Sequence, residues 1–135
     1  MVESTESNAP VLQVSRQLVA RFERVQRERM AGLPILHPGL SVVVIGAREW
    51  QQDWLGMLVT PWCMNLVRIP GPGSAFVPGS VGSKQIIAFP AGEFEFIASD
   101  EEGVGPFAAC SLFSPMQEFA DQAVALATAE AVMAA

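Results

Sequence analysis

Between Ser41 and Phe113 the chain reads as one apolar, strand-like run after another, with no helical period between them. That succession constrains the fold most. Parallel strands need a long crossover, usually a helix, whereas antiparallel neighbours can be joined by short turns. The runs are "SVVVIGA" (41–47), "WLGMLVT" (54–60), "MNLVRIP" (64–70), "QIIAFP" (85–90), "GEFEFIAS" (92–99) and "PFAACSLF" (106–113). Between them lie a polar turn at 48–53, a Thr60-Pro61 corner, a glycine- and proline-rich loop over 70–84, and tight turns at 90–92 and 100–105. Loops as long as 70–84 in a compact domain are usually functional or mobile. Within "GEFEFIAS", Phe94 and Phe96 share one face and Glu93 and Glu95 the other, the alternation of a half-solvated antiparallel strand. "PFAACSLF" is apolar on both faces and is expected at the centre of the sheet.

Helical periods flank this block. Val11, Val14, Leu18, Phe22 and Val25 make an apolar stripe from Pro10 onward, expected to stop at Gly32 before Pro34. At the other end, "SPMQEFADQAVALATAEAVM" predicts a helix with Ser114 at N-cap, Pro115 at N1 and Gln117 at N3, burying Phe119, Ala123, Leu126 and Met133. The expected fold class is α+β: a mostly antiparallel sheet of about five to six strands, with an N-terminal and a C-terminal helix packed on one face. Residues 1–9 are polar and read as a disordered tail, and 10–135 as a single domain.

Charge and chemistry narrow the function. A formal charge of −6 argues against generic binding to a phosphate backbone. The charge is uneven: Arg16, Arg21, Arg24, Arg27 and Arg29 crowd one early segment, and Asp100, Glu101 and Glu102 form an acidic knot. The N-terminus lacks the apolar run of a secretory signal, and no apolar stretch reaches the roughly 20 residues of a membrane span. Together with two cysteines expected to stay reduced, this points to the cytoplasm.

Cys63 and Cys110 form no C-x-x-C pair, so a structural zinc or rubredoxin-type site is not available. His37, the single histidine, lies in a turn, and no G-x-S-x-G elbow exists. "GSVGSK" (79–84) lacks the glycine before lysine and the hydroxyl after it that a phosphate loop needs. Glu93 and Glu95 make an ordinary solvated pair. Cys63 is the sharpest reactive candidate, because a tight Pro61-Trp62-Cys63 turn would aim backbone N–H groups at its sulfur.

Recognition is the remaining class. Trp50, Trp54 and Trp62 lie close together, with Met57 between them and Met64 just beyond, and such side chains offer large, adaptable contact area. Trp50 is the tryptophan expected to be most exposed, while Trp54 and Trp62 could equally fill a small core.

The blocks "RMAGLPILHPGLSV", "WLGMLVTPWCMNLVRIPGP", "PAGEFEFI" and "CSLFSPMQEFAD", from about Arg29 to Asp121, resemble those of the HybE-type [NiFe]-hydrogenase assembly chaperones, a family that includes HoxT and HupJ proteins. The matching positions are Thr60, Pro61, Trp62, Met64 and Asn65, then Cys110 through Pro115. The resemblance implies a non-enzymatic accessory protein without a cofactor. It would hold a hydrogenase subunit precursor in the cytoplasm while metal centres are installed and before twin-arginine export. Some members carry a rubredoxin domain, for which this chain lacks the cysteines, and Cys63 stands where other members often have a bulky residue.

On this reading the partner-binding candidates are Trp50, Pro61, Trp62, Met64 and Asn65, their apolar members open to solvent. Asp100, Glu101 and Glu102 would steer a basic segment such as a twin-arginine signal. The alternative is a thiol-based carrier or protector of an iron or iron-sulfur centre, using Cys110 and Cys63.

Overall fold

The structure, a computed structural model, describes the backbone of residues 2–114 and 116–134. Among these residues the elements are α1 (Val2–Val25), a π-helical turn (Gln26–Met30), β1 (Val43–Trp50), β2 (Asp53–Val59), β3 (Met64–Ile69), β4 (Lys84–Phe89), β5 (Gly92–Glu101), β6 (Gly105–Phe113) and α2 (Gln122–Ala134). One antiparallel sheet has the order β1-β2-β3-β6-β5-β4. The α+β class is therefore as expected, and β6 is central. No helix among the described residues is long and apolar enough to cross a membrane.

Four boundaries differ from the sequence reading. Helical backbone runs back to Val2, so the division placed at residue 10 falls inside α1 and Pro10 is not at its first turn. The polar stretch 48–53 belongs mostly to strands. Only Gln51 and Gln52 turn the chain, both at positive φ (50° and 70°), the two-residue hairpin geometry that suits strand twist. Arg48 and Glu49 are polar because β1 is an edge strand, and Asp53 because it is ion-paired. Likewise Asp100 and Glu101 end β5 instead of forming a turn.

The second helix starts later than its capping-box pattern suggested. Asp121 Oδ1 accepts the Val124 N–H at 3.0 Å, so Asp121 is the N-cap. Pro115 lies outside the described residues, and Gln117 Nε2 donates to Ile35 O at 2.9 Å. The buried face of α2 is Ala125, Ala129 and Met133, with Ala123 exposed. Small alanines let α2 approach the sheet closely. At Gly46 (φ +68°), a Cβ would lie 2.9 Å from Met133, so glycine serves both the bulge in β1 and the helix seat.

The two helices cover opposite faces, not one. Leu55, Met57 and Val59 of β2 pack in one core with α2 residues Ala125, Ala129 and Met133. The alternate residues Trp54 and Leu58 join Val67, Ile69 and Phe107 beneath Leu18 of α1. Every residue of β2 is buried, as a strand covered on both sides must be.

The sheet is also curled. β1 and β4 are opposite edges with four strands between them, and a flat sheet would hold them about 24 Å apart. Yet the rings of Trp50 and Phe89 meet, with centroids 4.7 Å apart. The α2 side is therefore a concave trough whose edges close on each other at one end.

Candidate functional site

The trough is only partly filled. Between its wall and the last turns of α2 lies a groove of about 670 Å³. Leu55, Leu66 and Leu112 form its floor, one from each of three adjacent strands. Trp50 and Phe89 close one end, and Phe94 and Phe113 stand on its flank. Val132 and Met133 of α2 roof it, with Ala131 and Thr128 at the rim. Arg48 is the single ionisable residue among those lining it.

Trp50 is held from behind. The Arg68 guanidinium lies 4.9 Å from the Trp50 ring and 3.9 Å from that of Phe76, a cation between two aromatic faces. Its Nε donates to Asp53 Oδ2 at 2.7 Å, and Asp53 Oδ1 accepts the Gly71 N–H at 3.0 Å. This pair ties the start of the 70–83 connection to the β1–β2 turn. Gly71 must be glycine because a Cβ would run into the Gln52 carbonyl.

The other expected partner-binding residues sit elsewhere. Pro61 is buried and Met64 has no exposed surface, so the expectation of a solvent-open patch around residue 62 is not met. Trp62 is half-buried because Phe22 of α1 stacks on it at 6.5 Å. Asn65 is half-buried on β3, and its Oδ1 has no hydrogen-bond partner among the described residues. The "TPWC" corner is a hairpin connection. Thr60 Oγ1 accepts the N–H groups of Trp62 (3.1 Å) and Cys63 (2.9 Å), and Thr60 N donates to Cys63 O.

The acidic knot closes onto the basic segment of the same chain. Glu101 pairs with Arg21 (2.9 Å) and Arg29 (3.3 Å), and Glu102 with Arg24 (3.2 Å), while Asp100 is exposed. Two of its three carboxylates therefore clip α1 and the π-turn to the β5–β6 turn.

His37 is a connector. Its Nδ1 accepts the Gly39 N–H at 3.0 Å, which leaves Nε2 to donate to Phe119 O and join the 33–40 loop to the segment before α2.

Cys63 and Cys110 are free and buried. Burial pushes both thiols up, against a smaller lowering of Cys63 by Thr60 and with a further rise of Cys110 from Glu95. The N–H groups expected to activate Cys63 are taken by Thr60 Oγ1. No group of three or more His, Cys, Asp or Glu among the described residues could hold a metal ion.

A thiol whose pKa is higher in the folded chain binds its proton more tightly there. Stability should therefore fall as pH rises past the unfolded value of about 8.5. The denaturation midpoint of the wild type should drop between neutral and alkaline pH more than that of Cys63→Ser, and equal slopes would contradict this.

Comparison with known proteins bears on most of the chain. A family model described as [NiFe]-hydrogenase assembly, chaperone, HybE matches residues 13–135. The chain belongs to the HybE family. It is 42% identical over 120 residues to the hydrogenase expression/formation protein HupT of Azotobacter chroococcum mcd 1, covering 88% of this chain and 79% of HupT. It is 41% identical over 117 residues to the hydrogenase expression/formation protein HupJ of Bradyrhizobium diazoefficiens, covering 87% and 68%. The solution structure of HybE from Escherichia coli matches with a TM-score of 0.66 at 28% identity, over 89% of this chain and 72% of that one.

Within this HybE-family fold, Leu112 and Phe113, part of the resemblance block "CSLFSP", line the groove. The block "TPW–MN" instead builds the hairpin beside it. Arg48, Phe89, Val132 and Met133 were not singled out as site residues from sequence. The alternation in "GEFEFIAS" already placed Phe94 on one apolar face.

Proposed function

We propose that this HybE-family chain is an assembly chaperone that binds a [NiFe]-hydrogenase subunit precursor through the groove between the curled sheet and α2. One observation carries the reading: the groove is open, almost wholly apolar, and lined by side chains from all six strands and a helix. Burying one large apolar side chain there is worth roughly 1.5–3 kcal/mol. Two or three such residues supply about 3–9 kcal/mol, comparable to the cost of association, so the complex stays weak enough for a partner that must later let go.

The reading places the chaperone in the cytoplasm, holding the precursor while its metal centres are installed and before twin-arginine export, and it assigns the chain no reaction. Trp50 keeps its place as a partner-binding residue. Trp62, Met64 and Pro61 become scaffold, and Glu101 and Glu102, already paired within the chain, give up the leading role in steering.

The test fills the groove. Ala131 is exposed on α2 at the groove rim, so Ala131→Trp should block the groove with little effect on folding. Co-purification of the precursor from cells expressing the hydrogenase operon should fall at least about tenfold, the equivalent of losing one buried side chain. Undiminished capture by a folded Ala131→Trp protein would overturn the reading.

A further inference from the structure

We infer that the segment taken by the groove carries a carboxylate beside its apolar side chains, and that Arg48 receives it. This rests on the groove being the client site and names the chemistry of what enters it.

Arg48 is the groove's one ionisable residue, exposed at its edge on β1. Its guanidinium is already oriented. Nε donates to Gly46 O at 3.2 Å and Nη2 to Met133 O at 2.9 Å, so the bulge of β1 and the end of α2 fix its plane. Those two bonds use two of five N–H donors, which leaves others for an anion. A planar fork held in place matches a carboxylate, and little side-chain entropy remains to be lost when one binds.

The charge pattern of the rest of the chain sharpens the point. Arg21 and Arg29 pair with Glu101, Arg24 with Glu102 and Glu28, and Arg68 with Asp53. Among the described residues Arg48 contacts carbonyl oxygens only. Arg16, Arg27 and Lys84 likewise make no ion pair among the described residues, but Arg48 is the one of these four cations that lines the apolar groove. A segment bearing lysine or arginine at that point would meet a like charge. An apolar segment with Asp, Glu or a terminal carboxylate would gain a charge-assisted hydrogen bond. A free fatty acid shares that chemistry, but the occupant here is a polypeptide, because the chain belongs to a family of assembly chaperones.

Two arms test this with the full-length chain. First, Arg48→Gln and Arg48→Lys are compared with wild type for affinity toward the captured precursor. Loss of the charged partner should weaken binding by about ten- to a hundredfold in Arg48→Gln, and Arg48→Lys, which keeps the charge but not the fork, should fall between it and wild type. Second, synthetic peptides tiling the captured subunit are titrated against wild-type protein, each carboxylate-bearing binder beside its amide counterpart. The amide peptides should bind wild type about ten- to a hundredfold more weakly than their acidic counterparts. This arm holds even if Arg48→Gln disturbs α2.

Equal affinities of acidic and amide peptides would overturn the inference, as would binders that are uniformly cationic. So would a fatty acid found by mass spectrometry in the purified protein and displaced by Ala131→Trp. Loss of capture in Ala131→Trp with no change in Arg48→Gln would sink this inference alone. Undiminished capture in Ala131→Trp would sink the groove reading beneath it.

Discussion

Asp53→Ala is expected to lower the unfolding free energy by about 3–5 kcal/mol, the cost of stranding a buried charge. The Asp53 side chain has no exposed surface, and that of Arg68 is 10% exposed. Without the carboxylate, the guanidinium would sit between Trp50 and Phe76 with no counter-ion, and the Gly71 N–H would lose its acceptor. For a chain of this size the loss corresponds to a melting temperature lower by roughly 10–15 °C. The double variant Asp53→Leu/Arg68→Met should recover much of it, because removing both charges removes the stranded one. Thermal and urea denaturation of the three variants provide the check. A fall below about 1 kcal/mol for Asp53→Ala would mean that water already reaches the pair.

A comparable loss, about 3–5 kcal/mol, is expected for Phe96→Ala. Phe96 is fully buried on the concave face of β5, with its ring centroid 6.0 Å from that of Phe89. Truncation opens a cavity beneath the Trp50–Phe89 contact that closes the trough. Phe96→Leu keeps most of the volume and should cost under about 1.5 kcal/mol. Because Phe89 would lose its support, precursor capture by Phe96→Ala should weaken even where the variant is still folded. Denaturation midpoints and co-purification measured on the same preparations test both halves. Full stability in Phe96→Ala would show that the sheet collapses around the gap.

The strand succession was legible because each run is bounded by proline, glycine or charge, and the central place of β6 because Phe107, Ala108 and Cys110 leave neither face for water. The opposite placement of the helices was written in "WLGMLV", apolar at every position, because a strand without a polar face must be covered on both sides. The start of α2 was misread because Ser114-Pro115 matches a capping pattern as well as Asp121 does, and local pattern cannot choose between them.

The groove was out of reach for a different reason. Its closure joins Trp50 to Phe89 across the whole sheet, and that contact depends on accumulated twist and on the bulge at Gly46. The acidic knot could not be assigned because its arginines lie far back in the chain, where sequence shows two charged clusters and not their pairing.

Trp50 and Phe89 meet as side chains on strands that share no backbone ladder. Rotating two rings can therefore change the span between the rims while every rung of the sheet stays intact. The lip is therefore adjustable for the cost of an aromatic contact, about 0.5–1.5 kcal/mol. The two outer strands, folded toward one another, also offer neighbouring molecules less of the bare edge on which sheets aggregate.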